Sequence, residues 1–484
     1  MPLLAVVRIL GILVMLFALA MLVPLGFAHF GDDAALGAFR DSGLLTFSVG
    51  LLVAATTWRY KRELYPRDGF LLVALVWVML PVFAALPFLQ YFPDLSFAQA
   101  YFEAVSGLTT TGSTVLVGLD NMPPSVLIWR ALLQWLGGMG LLILALAILP
   151  LLGVGGMQIY RAETGGPIKD SKLTPRIAET AKLLYGVYLF FSLACFFAYW
   201  AAGMNWFDAL VHMGTTMSLG GLSSYDASFG HFNSPTIELV AIVFMLIAGM
   251  NFAMHAVALR NLSLRVYLQC AQTRWFWFAA IAGSLMVGLF LFAKGVYPTL
   301  SESIRHAFFN TVSVATTTGF ATQDYALWPP FAGWFMIFLS AFATSSGSTG
   351  GGIKMIRLVL LIKQARRELL RIIHPRLIDP VQLDEIVISN QVIFSVLAFL
   401  LFYGATVMVM SFLMLLSGMD PISAVSAVLA SVNNLGPGLG EVGPASNYAN
   451  LSSFQLWVCS ASMLLGRLEL LTLLVVLIPA FWKN

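Results

Sequence analysis

The stretch SVATTTGFATQDY, residues 313 to 325, sets hydroxyls and a glycine between apolar segments long enough to cross a bilayer. Polar backbone of this kind is tolerated at membrane depth only where it is buried in protein or lines a water-filled path. The same device occurs at LTTTGST (108–114), MSLGGLSSYD (217–226) and SVNNLGPGLGE (431–441). When one glycine of each is aligned, Gly112, Gly221, Gly319 and Gly436, the chain carries Ala100, Ala209, Ala307 and Ala424 twelve residues earlier. Thr109, Ser218, Thr316 and Asn433 stand three residues before the glycines. An acid follows five residues after three of them, as Asp226, Asp324 and Glu441, while the first repeat has Asp120 further on. Repetition at roughly 100 residues means one supersecondary unit copied four times.

Of 484 residues, 59% are hydrophobic and 10% charged, which leaves too little polar surface for a water-soluble body of this size. The expected class is an all-α polytopic membrane protein. Each repeat reads as a span, a short amphipathic segment, the polar glycine turn and a second span. The span pairs are 70–90 with 125–152, 183–203 with 235–259, 275–297 with 331–362, and 388–417 with 453–482. A segment of about ten residues is about 15 Å long as a helix, half of a hydrocarbon core of about 30 Å, so it must dip in and return. Four such units enclose a central pore with pseudo-fourfold symmetry. Two apolar runs, 3–27 and 42–58, precede them as an added N-terminal two-helix hairpin. The first of these is too long for the apolar region of a signal peptide and no small-residue cleavage pattern follows it, so it reads as a helix of the mature protein. The units then run 1–68 (hairpin), 69–160, 161–262, 263–378 and 379–484. Cys195, Cys270 and Cys459 lie far apart and form no metal or redox spacing, which makes them packing residues.

Orientation follows from the basic residues. Nineteen of the 26 Lys and Arg fall in 59–67, 161–182, 260–274 and 354–376, and Arg8 and Lys483 put both termini on that same, cytoplasmic side. The short segments are then external, together with Asp94, Glu103, Asp120, Asp208, Asp226, Glu302, Asp324, Asp420 and Glu441. An acidic outer mouth concentrates cations.

A cation entering a bilayer must exchange water for other oxygens, and rings of backbone carbonyls from several short loops supply them. Glycine suits the turn of such a loop because it takes positive φ without a Cβ penalty. The expected filter therefore comprises Thr110, Thr111 and Gly112; Leu219, Gly220 and Gly221; Thr317, Thr318 and Gly319; and Asn434, Leu435 and Gly436. The side chains differ between walls, so backbone oxygens must do most of the coordination. Small polar residues also serve close helix packing in membranes. Four stretches in register favour the filter.

In the second span of the third repeat, ATSSGSTGGGIK (343–354) interrupts the apolar run with several glycines, each costing a helix about 1 kcal/mol against alanine. Thr344, Ser345, Ser346, Gly347, Ser348, Thr349, Gly350, Gly351 and Gly352 are thus expected to form an intramembrane loop under the filter, placed to block or clear the path. Arg467 lies near the middle of the last span, where its charge is costly unless it faces the interior or water. On a continuous helix Glu469 stands about 200° away from it. Arg467 is expected to face the pore as a barrier to cations, with a packing ion pair to another helix as the alternative. His212, His255 and His306 read as satisfied packing residues. KQARRELLRIIHPR (363–376) reads either as a positive-inside anchor or as a dock for a soluble regulator. GVGG at 153–156 precedes no soluble strand and helix unit, so no nucleotide is expected to bind in this chain. Nor is nucleic acid an expected partner.

The four units, the TTTG and NNLGPG stretches and the leading helix pair resemble the Trk/Ktr/HKT superfamily of potassium transporters over essentially the whole chain, most closely the TrkH-type membrane subunits of bacterial Trk systems. The resemblance implies a bacterial inner-membrane protein, homodimeric, selective for K+ where all four filter glycines are present, with an intramembrane gating loop and an arginine in the last helix. It also implies a cytosolic TrkA-like ring of nucleotide-binding subunits as partner. Leu219 and Gly220 depart from the threonine-rich pattern. Two other readings compete. An alternating-access transporter, coupled to protons or sodium or carrying an organic solute, calls for inverted halves, whereas these four repeats run the same way. An intramembrane enzyme needs a nucleophile with a base or a metal set, and no such spacing is present.

Overall fold

The computed structural model describes residues 2–60, 65–148, 173–384 and 386–482. GVGG and part of the two loops at 59–67 and 161–182 lie outside them. The described chain is helical, apart from a two-stranded ribbon pairing Gln382–Leu383 with Ile386–Val387. Among the described residues six helices are long and apolar enough to cross a membrane, and two bent helix pairs raise the number to eight.

The N-terminal hairpin comprises Pro2–Ala20, continued by Leu22–Phe30, and Leu36–Thr56. The leading spans of the repeats are Pro66–Ala84 with Leu86–Tyr91, Leu173–Ala201, Ala271–Ala293 and Asn390–Leu416. Each is followed by a short helix: Phe97–Leu108, Trp206–Met217, Leu300–Ala315 and Pro421–Asn433. Their starts are set by capping: Ser96, Asn205, Thr299 and Asp420 each accept the backbone N–H three residues on, satisfying a donor that the first turn leaves free. Ala100, Ala209, Ala307 and Ala424, which fixed the register in the sequence, are all fully buried.

The second spans differ from the sequence expectation. Only in the first repeat does the helix, Pro124–Ile148, run unbroken past the level of the four glycine turns. In the second it breaks between Ala248 and Phe252 with a 97° bend, and in the fourth between Arg467 and Leu471 with a 112° bend. In the third, residues 343–354 separate Pro330–Phe342 from Met355–Ile373. The fourth break contains no glycine or proline. Glu469 and Leu470 adopt left-handed φ of 52° and 54° there, so the continuous helix assumed between 453 and 482 is corrected.

Candidate functional site

At the C-terminal end of each short helix the chain makes the same turn. Thr110, Leu219, Thr317 and Asn434 take left-handed φ of 53°, 55°, 60° and 53°. The next residue's N–H then reaches back five residues: Thr111 to Ser106, Gly220 to Thr215, Thr318 to Ser313 and Leu435 to Ala430, at 2.8–2.9 Å. This is a Schellman-type stop, which satisfies carbonyls the helix would leave free and turns the chain back. Glycine usually fills the left-handed position, and here four other residues do, at about 1–2 kcal/mol each.

The aligned glycines follow two residues later, with φ of 89°, 75°, 90° and 97° for Gly112, Gly221, Gly319 and Gly436. A Cβ on Gly112 would overlap the carbonyl oxygen of Gly220; on Gly221, that of Thr318; on Gly319, that of Leu435. On Gly436 it would come 2.8 Å from the carbonyl oxygen of Thr111. The residue before each glycine thus lays its carbonyl against the glycine of the preceding wall, and the four contacts close a ring in chain order. Above it, Gly112, Gly221, Gly319 and Pro437 open into a vestibule. Among the acids expected at the mouth, only Asp226 lines that vestibule, and its carboxylate accepts the Gly118 and Leu119 N–H groups. Asp208, Glu302 and Asp420 sit at the starts of the short helices instead. Glu103 is corrected outright: it is buried, paired with Arg130 at 2.8 Å.

Beneath the ring, residues 344–352 cross from wall to wall. Ser345 N–H donates to Gly249 O at 3.0 Å and Phe252 N–H to Gly347 O at 3.0 Å, tying the loop to the break in the second repeat. Thr349 Oγ1 donates to Met217 O at 3.0 Å, at the end of the second short helix. Gly351 N–H donates to Thr317 Oγ1 at 2.9 Å, and a Cβ on Gly351 would overlap Asn433 O of the fourth wall. Thr344 Oγ1 donates to Gly351 O and Ser348 Oγ to Ser345 O, both at 2.6 Å, which folds the loop on itself. Ser346 and Gly350 are buried within it, and Gly352 takes φ 79° where the chain leaves for the next helix.

Arg467 is buried against this loop. Its guanidinium donates to Thr349 O at 2.9 Å and to Gly137 O at 3.1 Å, so it bridges the loop to the unbroken span of the first repeat. Neither partner is a carboxylate. Lys354 and Arg357, assigned by sequence to a cytoplasmic loop, are also buried: Lys354 Nζ bonds Gly350 O, and Arg357 pairs with Glu469 at 2.5 Å. Three cationic side chains are therefore buried beneath the ring, Arg357 on the Glu469 carboxylate and Lys354 and Arg467 on backbone carbonyls.

A family model described as "Cation transport protein", TrkH, matches residues 36–483. The chain belongs to the TrkH family. It is 44% identical over 487 residues to the Trk system potassium uptake protein TrkH of Vibrio parahaemolyticus, covering 99% of each protein. Against the Trk system potassium uptake protein TrkH of Escherichia coli K12 the identity is 42% over 481 residues, again with 99% of each covered. The crystal structure of the potassium transporter TrkH from Vibrio parahaemolyticus superposes over 100% of both chains with a TM-score of 0.92 and 40% identity. This is the fold of a TrkH transport protein, and the all-α architecture expected from sequence agrees with it.

Several residues of this TrkH-family site were missed in the sequence. Gln134, from the second span of repeat one, donates to Gly220 O at 2.6 Å and accepts the Leu222 N–H at 3.2 Å, bracing the wall that lacks threonines. Gly220 has no side chain because that amide fills its place. Nine residues before three of the ring glycines stand Glu103, His212 and Asn310. Glu103 accepts the Val115 N–H, His212 meets Ser223 Oγ and Asn310 accepts the Thr322 N–H, each holding the strand that rises from the ring. In the fourth repeat Ser426 accepts the Leu439 N–H instead. Applying the register nine places back would have found the first three. Asn434 Nδ2 joins the fourth wall to the first through Thr111 Oγ1 at 2.9 Å, and Tyr448 and Ser113 both donate to Gly436 O.

Proposed function

We propose that this chain is the ion-conducting membrane subunit of a potassium-uptake system, selecting K+ at the ring formed by residues 110–112, 219–221, 317–319 and 434–436. The observation that carries the reading is the closed sequence of glycine-to-carbonyl contacts, which places four backbone oxygens at the seams of one ring. The short helices end at this ring. Their C-terminal dipoles favour a cation there. The names of the relatives at 42–44% identity supply the ion.

Residues 344–352 act as the gate, and Arg467 holds them closed. The loop's hydrogen bonds occupy polar groups of the second and third walls, and Arg467 adds a buried positive charge against it. At 6 Å and an effective dielectric of 20, one positive charge repels a cation by about 3 kcal/mol. Opening requires loop and guanidinium to leave together. The four pore units are 69–160, 161–262, 263–378 and 379–484, and the protein works as a homodimer in the bacterial inner membrane with both termini cytoplasmic. The helix Met355–Ile373 leads from the gate to an exposed basic end, where a cytosolic TrkA-like nucleotide-binding ring docks.

The test is flux through the purified protein in liposomes, with K+ and Na+ as alternative ions and with or without such a partner. K+ flux should exceed Na+ flux and respond to the partner. Equal K+ and Na+ flux through folded protein would overturn the selectivity reading.

A further inference from the structure

Two charged residues beneath the ring, the buried Arg357 and the half-buried Glu469, belong to neither filter nor loop. Arg357 lies in the first turn of the helix Met355–Ile373, immediately after the loop. Glu469 lies in the break of the last span, two residues beyond Arg467. Their ion pair, Nη2 to Oε2 at 2.5 Å, joins those two segments directly. Arg357 also donates to Ile353 O at 3.3 Å and stacks over Phe399 with 4.1 Å from its guanidinium carbon to the ring centroid. Its side chain is 7% exposed and that of Glu469 27%.

We propose that Arg357 and Glu469 form a latch that couples movement of the helix Met355–Ile373 to the release of Arg467 from the loop. The inference rests on reading residues 344–352 as the gate. The last span changes direction by 112° just past Arg467, and the turn is made by Glu469 and Leu470 in left-handed backbone. Residues other than glycine hold such conformations only where surrounding contacts fix them. Leu470 is fixed by burial. Glu469 is held by a Schellman-type stop, the Leu470 N–H reaching back to Leu465 O at 2.8 Å, and its side chain by Arg357. As long as the pair is closed, the break persists and Arg467 stays at the position from which it reaches Thr349 O. Displacing the helix Met355–Ile373 parts the pair and frees Glu469 to leave its left-handed conformation. The end of the helix Ser453–Arg467 then shifts, carrying the guanidinium away from the loop. Met355, Ile356, Val359 and Leu360 pack that helix on Val392, Ile393 and Val396 of the next span, so it can transmit a displacement as a unit.

Arg357 and Glu469 are positioning residues, since neither touches the ring. Glu469→Gln and Arg357→Gln should each raise basal K+ flux in liposomes about tenfold, the equivalent of 1.36 kcal/mol in a rate, with the K+ to Na+ ratio unchanged. The exchange Arg357→Glu with Glu469→Arg should return flux toward the parent value, which a merely structural role for either side chain does not predict. Arg357→Cys with Glu469→Cys gives a second measurement if the single variants fold poorly: the oxidised, cross-linked form should conduct less than the reduced form. Parental flux through folded single variants, or equal flux through oxidised and reduced forms, would overturn the latch. Removal of Gly347–Gly352 separates the two levels. If that deletion raises flux while Glu469→Gln does not, the latch fails and the gate stands; if the deletion leaves flux unchanged, the gate itself fails.

Discussion

The outer and inner halves of the pore are built by opposite rules from the same four repeats. At the ring, every wall has the same left-handed residue, the same backbone bond five residues back and a glycine against its neighbour's carbonyl. Beneath it the walls diverge: one second span is unbroken, two are bent, by 97° and 112°, and one is interrupted by a twelve-residue loop. Binding a spherical ion calls for equivalent oxygens, which repetition supplies. Obstruction calls for one element to cross the axis, and only one repeat can provide it. The symmetry is therefore lost at the level where the loop, Arg467 and the Arg357–Glu469 pair lie.

The largest effect should come from breaking the symmetric half. Gly221→Ser puts a Cβ onto Thr318 O, and Gly112→Ser puts one onto Gly220 O, where nothing but backbone can move aside. Both should lower the K+ to Na+ flux ratio severely, on the order of a hundredfold if about 3 kcal/mol of differential coordination is lost. Gly436→Ser should be milder, because its Cβ would stand 2.8 Å from Thr111 O and needs a smaller shift. Equal selectivity loss at all four positions would show that the ring responds as one unit and not seam by seam.

A smaller effect, confined to the inner half, is expected of Arg467. Arg467→Gln keeps a donor but removes the charge, and should raise K+ flux by tens of fold while selectivity stays constant, given a barrier of about 3 kcal/mol reduced by water in the cavity. A packing role makes the opposite forecast, since removing the guanidinium leaves Thr349 O and Gly137 O buried without their donor, a cost of about 1 to 3 kcal/mol of stability. Thermal stability measured beside flux distinguishes them. A destabilised variant with parental flux per folded molecule would remove Arg467 from the gate.

How far these halves were legible in the sequence follows the same division. The ring of turns could be read because repetition gives four independent copies of a weak signal, and Ala100, Ala209, Ala307 and Ala424 fixed the register from outside the turns. The inner half lacks that redundancy. The loop was visible only because its glycines forbid a helix. The break at 468–470 was not visible, for RLELLTLL is a sequence any helix accepts. The turn closes with the Leu470 N–H on Leu465 O, as at the ring, and is accompanied by the Glu469 ion pair to Arg357 and the burial of Leu470. Lys354 and Arg357 misled in the same way: basic residues near a span's end usually mark the cytoplasmic side, and here they face inward to Gly350 O and Glu469.

The smallest effect tests whether the symmetric half is sustained by unlike parts. The first and third walls carry the same pair of hydroxyls, Thr109 with Thr111 at 2.7 Å and Thr316 with Thr318 at 2.8 Å. The second wall replaces the pair with Gly220 and an amide from another repeat, Gln134, which holds Gly220 O and Leu222 N–H together. Gln134→Leu keeps the bulk but leaves a buried N–H without its partner, a cost of about 1 to 3 kcal/mol. The expected result is a loss of a few degrees in thermal stability and a decline in the K+ to Na+ ratio of less than about tenfold, with Gln134→Glu worse because its carboxylate cannot donate to Gly220 O. Thr111→Val should give a comparable decline on the first wall, where Asn434 Nδ2 loses one of its two acceptors and keeps Met463 O. If Gln134→Leu leaves the ratio untouched while Thr111→Val lowers it, the second wall does not share in discrimination, and the likeness of the four walls is one of backbone shape without equal function.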